Sequence, residues 1–185
     1  MKYFLLLFLI FFSKCIIAQN IEISGEPGDT KISIIVQKEG WLQKNLFKLS
    51  KEWVYKSFRS GDAVIQTEDE EEGKILCKSF SKKLVYMNTF VKMDGGRFRY
   101  FLTIFCKDNK LKAQISDIVH EGGEMSHMRD GSKYSDEFPS TWSSFAKGQT
   151  SKQWPKMKAQ AFEVFKLVLT SFHDYINSAN KDSEF

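Results

Sequence analysis

The hydrophobic pattern changes its period near the start of the chain and so predicts a strand followed by a helix. Apolar and polar residues alternate from 31 to 37, which indicates a strand with one buried face. Ile35 departs from this pattern because it falls on the polar side. From 41 to 59 the apolar positions recur about every 3.6 residues, which predicts an amphipathic helix, and Gly61 is placed to end it.

Strand-like patterns then follow one another, separated by turn residues. The predicted strands are 63–67, 74–80, 84–91, 98–106 and 111–119. The acidic run 68–72 lacks the spacing of an EF-hand loop, so it predicts a solvated hairpin tip. Asp94 to Gly96 predicts a hairpin turn between the third and fourth of these strands, and Asp108 with Asn109 predicts the next turn.

A long segment without a clear period, 120–150, precedes a final amphipathic helix predicted over 151–179. A run of strands bracketed by helices predicts an α+β fold, β-α-β(4–5)-α, with both helices packed on one face of an antiparallel sheet. No linker divides the chain, so 31–179 is expected to be one domain, preceded by a lead-in at 19–30 and followed by a flexible tail at 180–185.

The first eighteen residues have the pattern of a signal peptide. Lys2 precedes an unbroken apolar run, and Ala18 offers a small residue for cleavage. The run is too short to span a bilayer, so no transmembrane span is expected. Lys14 directly before Cys15 argues against a lipoprotein. The segment therefore predicts export to the periplasm, cell envelope or medium after cleavage near Ala18.

Charge argues against some classes of partner. The leader holds two of the 27 basic residues, which leaves 25 basic against 23 acidic residues and a nearly neutral chain. Nucleic acid is therefore not an expected partner, and no polybasic stripe for anionic lipid stands out along the sequence. Beyond the leader, Cys77 and Cys106 fit either a disulfide or two buried free thiols.

The stretch from Trp53 to Cys77 resembles an exported bacterial family, a domain of unknown function with a TATA-binding-protein-like (TBP-like) fold. The residues that carry the resemblance are Trp53, Phe58, Val64-Ile65-Gln66, Glu68-Asp69 and Gly73-Lys74-Ile75. The run from Phe105 to Leu111 fits a later family pattern, with Asn109 where the family usually has Gly. The resemblance covers about 32–119. It implies a TBP-like fold and export, and it implies no activity, cofactor or catalytic residue.

Motifs for catalysis or cofactor binding are missing from the sequence. It has no phosphate-binding glycine loop, no nucleophile elbow and no CxxC pair, so no cofactor is expected. His120, Glu121, Glu124 and His127 would share one face of a helix and could then hold a metal. Gly122 and Gly123 disfavour that helix, so no metal site is predicted.

The strand over 98–106 carries apolar residues on both faces, and the two predicted helices can cover only one of them. The long loop, a second subunit, a protein partner or an apolar ligand would have to cover the other. We therefore favour a non-catalytic binding or interaction domain of the periplasm or cell envelope. A hydrolase with its site in 120–150 and a lipid-associated envelope-maintenance protein are the alternatives. The candidate binding residues are Arg99, Phe101, Thr103, Phe105, Trp142 and Phe145.

Overall fold

The structure, a computed structural model, describes residues 21–87, 92–122, 131–137 and 144–180. The predicted signal peptide lies outside these ranges. The elements, in chain order, are β1 (Ile23–Ser24), β2 (Lys31–Gln37), α1 (Gln43–Ser57), α2 (Gly61–Val64), β3 (Ile65–Asp69), β4 (Lys74–Phe80), β5 (Val85–Met87), β6 (Lys92–Asp94), β7 (Arg97–Lys107), β8 (Lys110–Glu121) and α3 (Ser144–Ser178).

The main sheet has six antiparallel strands in the order β1-β2-β8-β7-β4-β3, and β5 pairs with β6 in a separate ribbon. The two longest strands, β7 and β8, form a hairpin in which Lys107 pairs with Lys110. Asn109 takes a left-handed conformation in that turn, with φ 66°. Asn tolerates this conformation better than most residues, so it can replace the usual Gly.

Both long helices pack on one face of the sheet. Strand residues 98, 100, 102, 104 and 106 are all buried on that face. Their helical partners include Phe165, whose ring lies 5.2 Å from that of Tyr100, and Ser50, whose Oγ lies 3.6 Å from Cys106 Sγ. The helices meet each other through Trp53 and Phe172, at 5.0 Å between ring centroids. The predicted α+β fold with two helices on one face is confirmed.

Two predictions for the segments on either side of β4 were wrong, namely the pairing of the strand at 84–91 and the role of Gly61. Of the strand predicted over 84–91, residues 85–87 form β5, and 88–91 lie outside the described residues. Strand β5 pairs with β6, and not with β7 through a turn at Asp94 to Gly96. Both edges of β7 are already occupied, by β4 on one side and β8 on the other. A further strand has no free edge of β7 to pair with, so β5 pairs with β6 instead. Gly61 begins the single turn of α2, and the strand predicted over 63–67 is β3, two residues later.

The irregular segment predicted over 120–150 is shorter at both ends. Strand β8 continues to Glu121 because Asp117, at φ 50°, sits at a bulge that moves Ile118 and His120 onto the buried face. Helix α3 begins at Ser144 and contains Pro155 within it. Trp154 is fully buried, and its indole N–H donates to the carbonyl of Asp136 at 2.9 Å. This packing holds the helix across a residue that normally disfavours it.

Candidate functional site

The face of the sheet opposite the helices, which we call the open face, presents the other half of each strand. Strand register places its residues in rows that run from β4 through β7 and β8 to β2. The rows are Lys78–Phe101–Ser116–Lys31, Leu76–Thr103–Gln114–Ser33 and Lys74–Phe105–Lys112–Ile35. The structure therefore brings Phe101, Thr103 and Phe105 together on one surface, as predicted from the alternation in β7.

Exposure separates the two faces of β7. Phe98 and Tyr100, on the helix side, are 0% and 1% exposed. On the open face Phe105 is 37% exposed and Phe101 is half-buried. Thr103 is buried between its neighbours. The most exposed apolar side chain of this face is Ile35, at 59%. Ile35 was not among the predicted site residues, although its break in the alternation of β2 was the signal for it.

Arg99 also lies on the open face, where it is already paired. Its Nε is 3.5 Å from Glu121 Oε1, and Arg97 Nη2 approaches the other oxygen of the same carboxylate at 3.2 Å. The guanidinium lies 5.9 Å from the centroid of the Phe101 ring, at the outer limit of a cation–π contact. Arg99 thus stiffens one end of the face, and a ligand that used it would compete with Glu121.

The described part of the long loop, 131–137, packs toward the helices and reaches the open face only at its rim. Tyr134 is 1% exposed, its ring lies 5.2 Å from Phe98, and its hydroxyl donates to the Lys158 carbonyl at 2.9 Å. Together with Arg99, Phe101 and Lys31, this segment walls a cavity of about 530 Å³. Trp142 lies outside the described residues, as does the side chain of Phe145, whose backbone belongs to α3.

A second cavity lies at the other end of the face, beside the β7–β8 hairpin, and we call it the hairpin-end cavity. Its volume is about 380 Å³. Apolar lining comes from Ile35, Phe105 and Leu111, while the remaining residues are polar or charged. These others are Gln37, Lys107, Lys110 and Lys112.

Positive charge is concentrated on the open face, although the chain as a whole is nearly neutral. The basic residues whose alternation places them there are Lys31, Lys74, Lys78, Arg97, Arg99, Lys107, Lys110 and Lys112. They come from separate strands and stand two or more positions apart in most cases, so no run of lysines marks them in the sequence. Only the register of β2, β8, β7 and β4 makes them neighbours.

The candidate metal ligands do not form a site in the part of the chain that the structure describes. His120 is fully buried on the helix side, with Nε2 2.7 Å from the Gly95 carbonyl oxygen. Glu121, the next strand residue, points the opposite way and pairs with arginines. Glu124 and His127 lie outside the described residues. No group of His, Cys, Asp or Glu within the described ranges could hold a metal ion.

Two of the three cysteines, Cys77 and Cys106, lie within the described residues, and both are buried free thiols. Cys77 pairs in the sheet with Leu102, four residues from Cys106 along β7. Four residues of strand span about 13 Å, well beyond the reach of a disulfide. Burial raises the pKa of Cys77 to about 12, and burial also raises the pKa of Cys106, to about 11. Both thiols are therefore protonated near neutral pH, which makes them poor nucleophiles.

An antiparallel sheet with its helices on one face and a cationic, partly apolar surface on the other defines a TBP-like α+β domain with a candidate binding face. A family model described as a domain of unknown function (DUF4468) with TBP-like fold matches residues 34–121. The resemblance noted in the sequence is confirmed, and this segment belongs to the DUF4468 family.

The solved structures that are similar to the chain include the following two. A TBP-like protein from Parabacteroides distasonis has a TM-score of 0.56 at 18% identity, over 85% of this chain and 98% of that one. A DUF4468 family protein from Bacteroides ovatus has a TM-score of 0.53 at 17% identity, over 81% of this chain and 90% of that one. At this identity the likeness concerns the fold. No curated protein matches the chain.

Among the described residues, no helix is both long enough and apolar enough to cross a bilayer.

Proposed function

We propose that the protein is a non-catalytic binding domain that uses the open face as its contact surface. The observation that carries this proposal is the exposure of Ile35 and Phe105 on one face of the sheet, with both long helices on the opposite face. Exposed rings and branched side chains on a stiff sheet supply contact area at little cost in conformational entropy. The lysines around them supply electrostatic selectivity.

A binding role fits the chemistry of the described residues better than a catalytic one. The thiols of Cys77 and Cys106 are buried and protonated. The carboxylate of Glu121 forms ion pairs with Arg97 and Arg99. Acid–base catalysis needs a titratable group within reach of a substrate. No observation on the described residues favours the hydrolase alternative, so the open face is the better guide to function.

Export is the second part of the proposal. The first eighteen residues support it through their basic start, apolar run and small residue at Ala18. Cleavage there would leave Gln19 as the first residue. Mass spectrometry of the protein recovered from the host's envelope fraction tests this, because a chain that still begins at Met1, or that remains in the cytoplasm, contradicts export.

Site-directed labelling with a maleimide tests whether the open face is occupied in the cell. Ile35→Cys places a thiol on the open face, and Leu167→Cys places one on the outer side of α3, where Leu167 is 67% exposed. A Cys15→Ser background removes the leader thiol. The native thiols are 0% and 1% exposed, so they label slowly in the folded protein.

We expect both introduced thiols to react at similar rates in the purified protein. In cells of the native host that have been made permeable to the maleimide, position 35 should be protected while position 167 is not. Equal labelling at the two positions in cells would mean that nothing covers the open face, and the proposed function would then be wrong.

A further inference from the structure

We infer that the hairpin end of the open face binds the surface of an anionic phospholipid bilayer, with Ile35 and Phe105 entering the headgroup layer and Lys107, Lys110 and Lys112 contacting its phosphates. This inference rests on the proposed function, because it names the partner of the same face. It requires that the three lysines lack ion-pair partners within the described residues, that the apolar side chains lie among them, and that other occupants fit less well.

The lysines are available. Within the described ranges, no carboxylate lies within ion-pair distance of Lys107, Lys110 or Lys112. The nearest acid in sequence, Asp108, accepts the backbone N–H of Gln43 at 2.7 Å and so serves the start of α1. The cations at this end therefore lack internal partners among the described residues.

Apolar and cationic side chains alternate across the strands at this end of the face, in the row Ile35–Lys112–Phe105–Lys74. Ile35 pairs in the sheet with Lys112, and Lys112 pairs on its other side with Phe105. Gln37 and Lys110 form the next pair toward the hairpin. Lysine can extend its methylene stem along apolar surface while its ammonium reaches a phosphate. Apolar side chains interspersed with lysines match the layered chemistry of an anionic membrane, where hydrocarbon lies beneath the charged headgroups.

Charge complementarity decides against a second copy of the chain. A two-fold dimer through this face would place lysines opposite lysines, and like charges in an interface oppose association. A nucleic acid or an acidic protein would satisfy the lysines, but neither needs an exposed isoleucine beside them. An anionic bilayer uses both features at once.

Vesicle co-sedimentation of the processed protein tests the inference, with phosphatidylglycerol–phosphatidylethanolamine vesicles compared with phosphatidylcholine vesicles. The charge variant is Lys107→Gln, Lys110→Gln and Lys112→Gln together. Its matched control is Lys48→Gln, Lys152→Gln and Lys156→Gln, which removes the same charge from exposed helix positions. Ile35→Ser is matched with Leu167→Ser in the same way, and all variants keep the same N-terminus.

We expect binding to the anionic vesicles only, weakened by salt. Each lysine near an anionic surface contributes roughly fivefold, so the charge variant should bind about a hundredfold more weakly. Ile35→Ser should weaken binding by several-fold, and both controls should bind like the unaltered protein. Far-ultraviolet circular dichroism and the unfolding midpoint check that each variant is folded.

Failure of the protein to bind anionic vesicles, or equal losses in the charge variant and its control, would overturn the inference. Binding to polyglutamate or to DNA in place of vesicles would also overturn it. Protection of position 35 in cells, together with no binding to vesicles, would leave the proposed function standing and would show that a different partner occupies the face.

Discussion

The two faces of β7 should respond very differently to the same substitution. Phe98→Ala and Phe105→Ala remove the same ring from the same strand, so losses in strand propensity nearly cancel. Phe98 is fully buried, with His120, Tyr134 and Trp154 at ring-centroid distances of 5.3, 5.2 and 5.4 Å. Truncating a buried Phe to Ala costs about 3–5 kcal/mol, and the edge contacts place Phe98 toward the upper end of that range.

Phe105 is 37% exposed, so its ring keeps part of its contact with water in the folded state. Full burial of a Phe is worth about 1.5–3 kcal/mol, and the partial burial here reduces this to about 1–2 kcal/mol. The two variants should therefore differ by at least about 2 kcal/mol in the free energy of unfolding. Urea unfolding at 25 °C measures this difference, provided that the slope of the transition is unchanged. Equal losses would refute the assignment of Phe105 to an open face.

Two further predictions concern the backbone and the thiols. Gly73 has φ +65°, and a Cβ there would lie within 2.4 Å of the Cys106 carbonyl oxygen, so Gly73→Ala should destabilise the protein by about 2 kcal/mol or more. The control is Gly131→Ala, because Gly131 has φ +91° and a Cβ there would meet nothing within 4 Å. This control should lose only about 1 kcal/mol. A smaller loss at Gly73 than at Gly131 in chemical unfolding would contradict the close approach. Burial raises the pKa of Cys77 from its ordinary value of 9.0 to about 12, so the unfolded chain releases this proton first. Stability should therefore fall as pH rises from about 9, by up to about 1.4 kcal/mol per pH unit for this thiol. Cys77→Ala should reduce the slope of unfolding free energy against pH above 9 and leave the part that is due to Cys106. An unchanged slope would show that Cys77 is not responsible.

The sequence contained enough information for the face assignments, because alternation in a strand is a local property. The buried and open sides of β2 and β7 follow directly from their residues, and so does the position of Thr103 between two rings. The boundaries near Pro155 and Asp117 could not be predicted in the same way. Trp154 holds the helix through a contact with a distant carbonyl, and the bulge at Asp117 depends on pairing with β7.

The charge of the site was also hidden from the sequence. Lys112 and Ile35 are 77 positions apart, yet the register of β2 and β8 makes them direct partners. The nearly neutral total charge did not indicate that lysines from four strands would share a surface. Conversely, His120 and Glu121 are adjacent in sequence, and the strand turns them to opposite faces, so their proximity along the chain did not make a metal site.

The labelling rate at position 35 relative to position 167, measured in cells and again in the purified protein, tests the central claim most directly. If the open face is the contact surface, the ratio should fall by at least about tenfold in cells, since an occupied site is accessible only when its partner leaves. A ratio that is the same in cells and in solution would show that nothing covers the open face, and the proposed binding role would then be wrong.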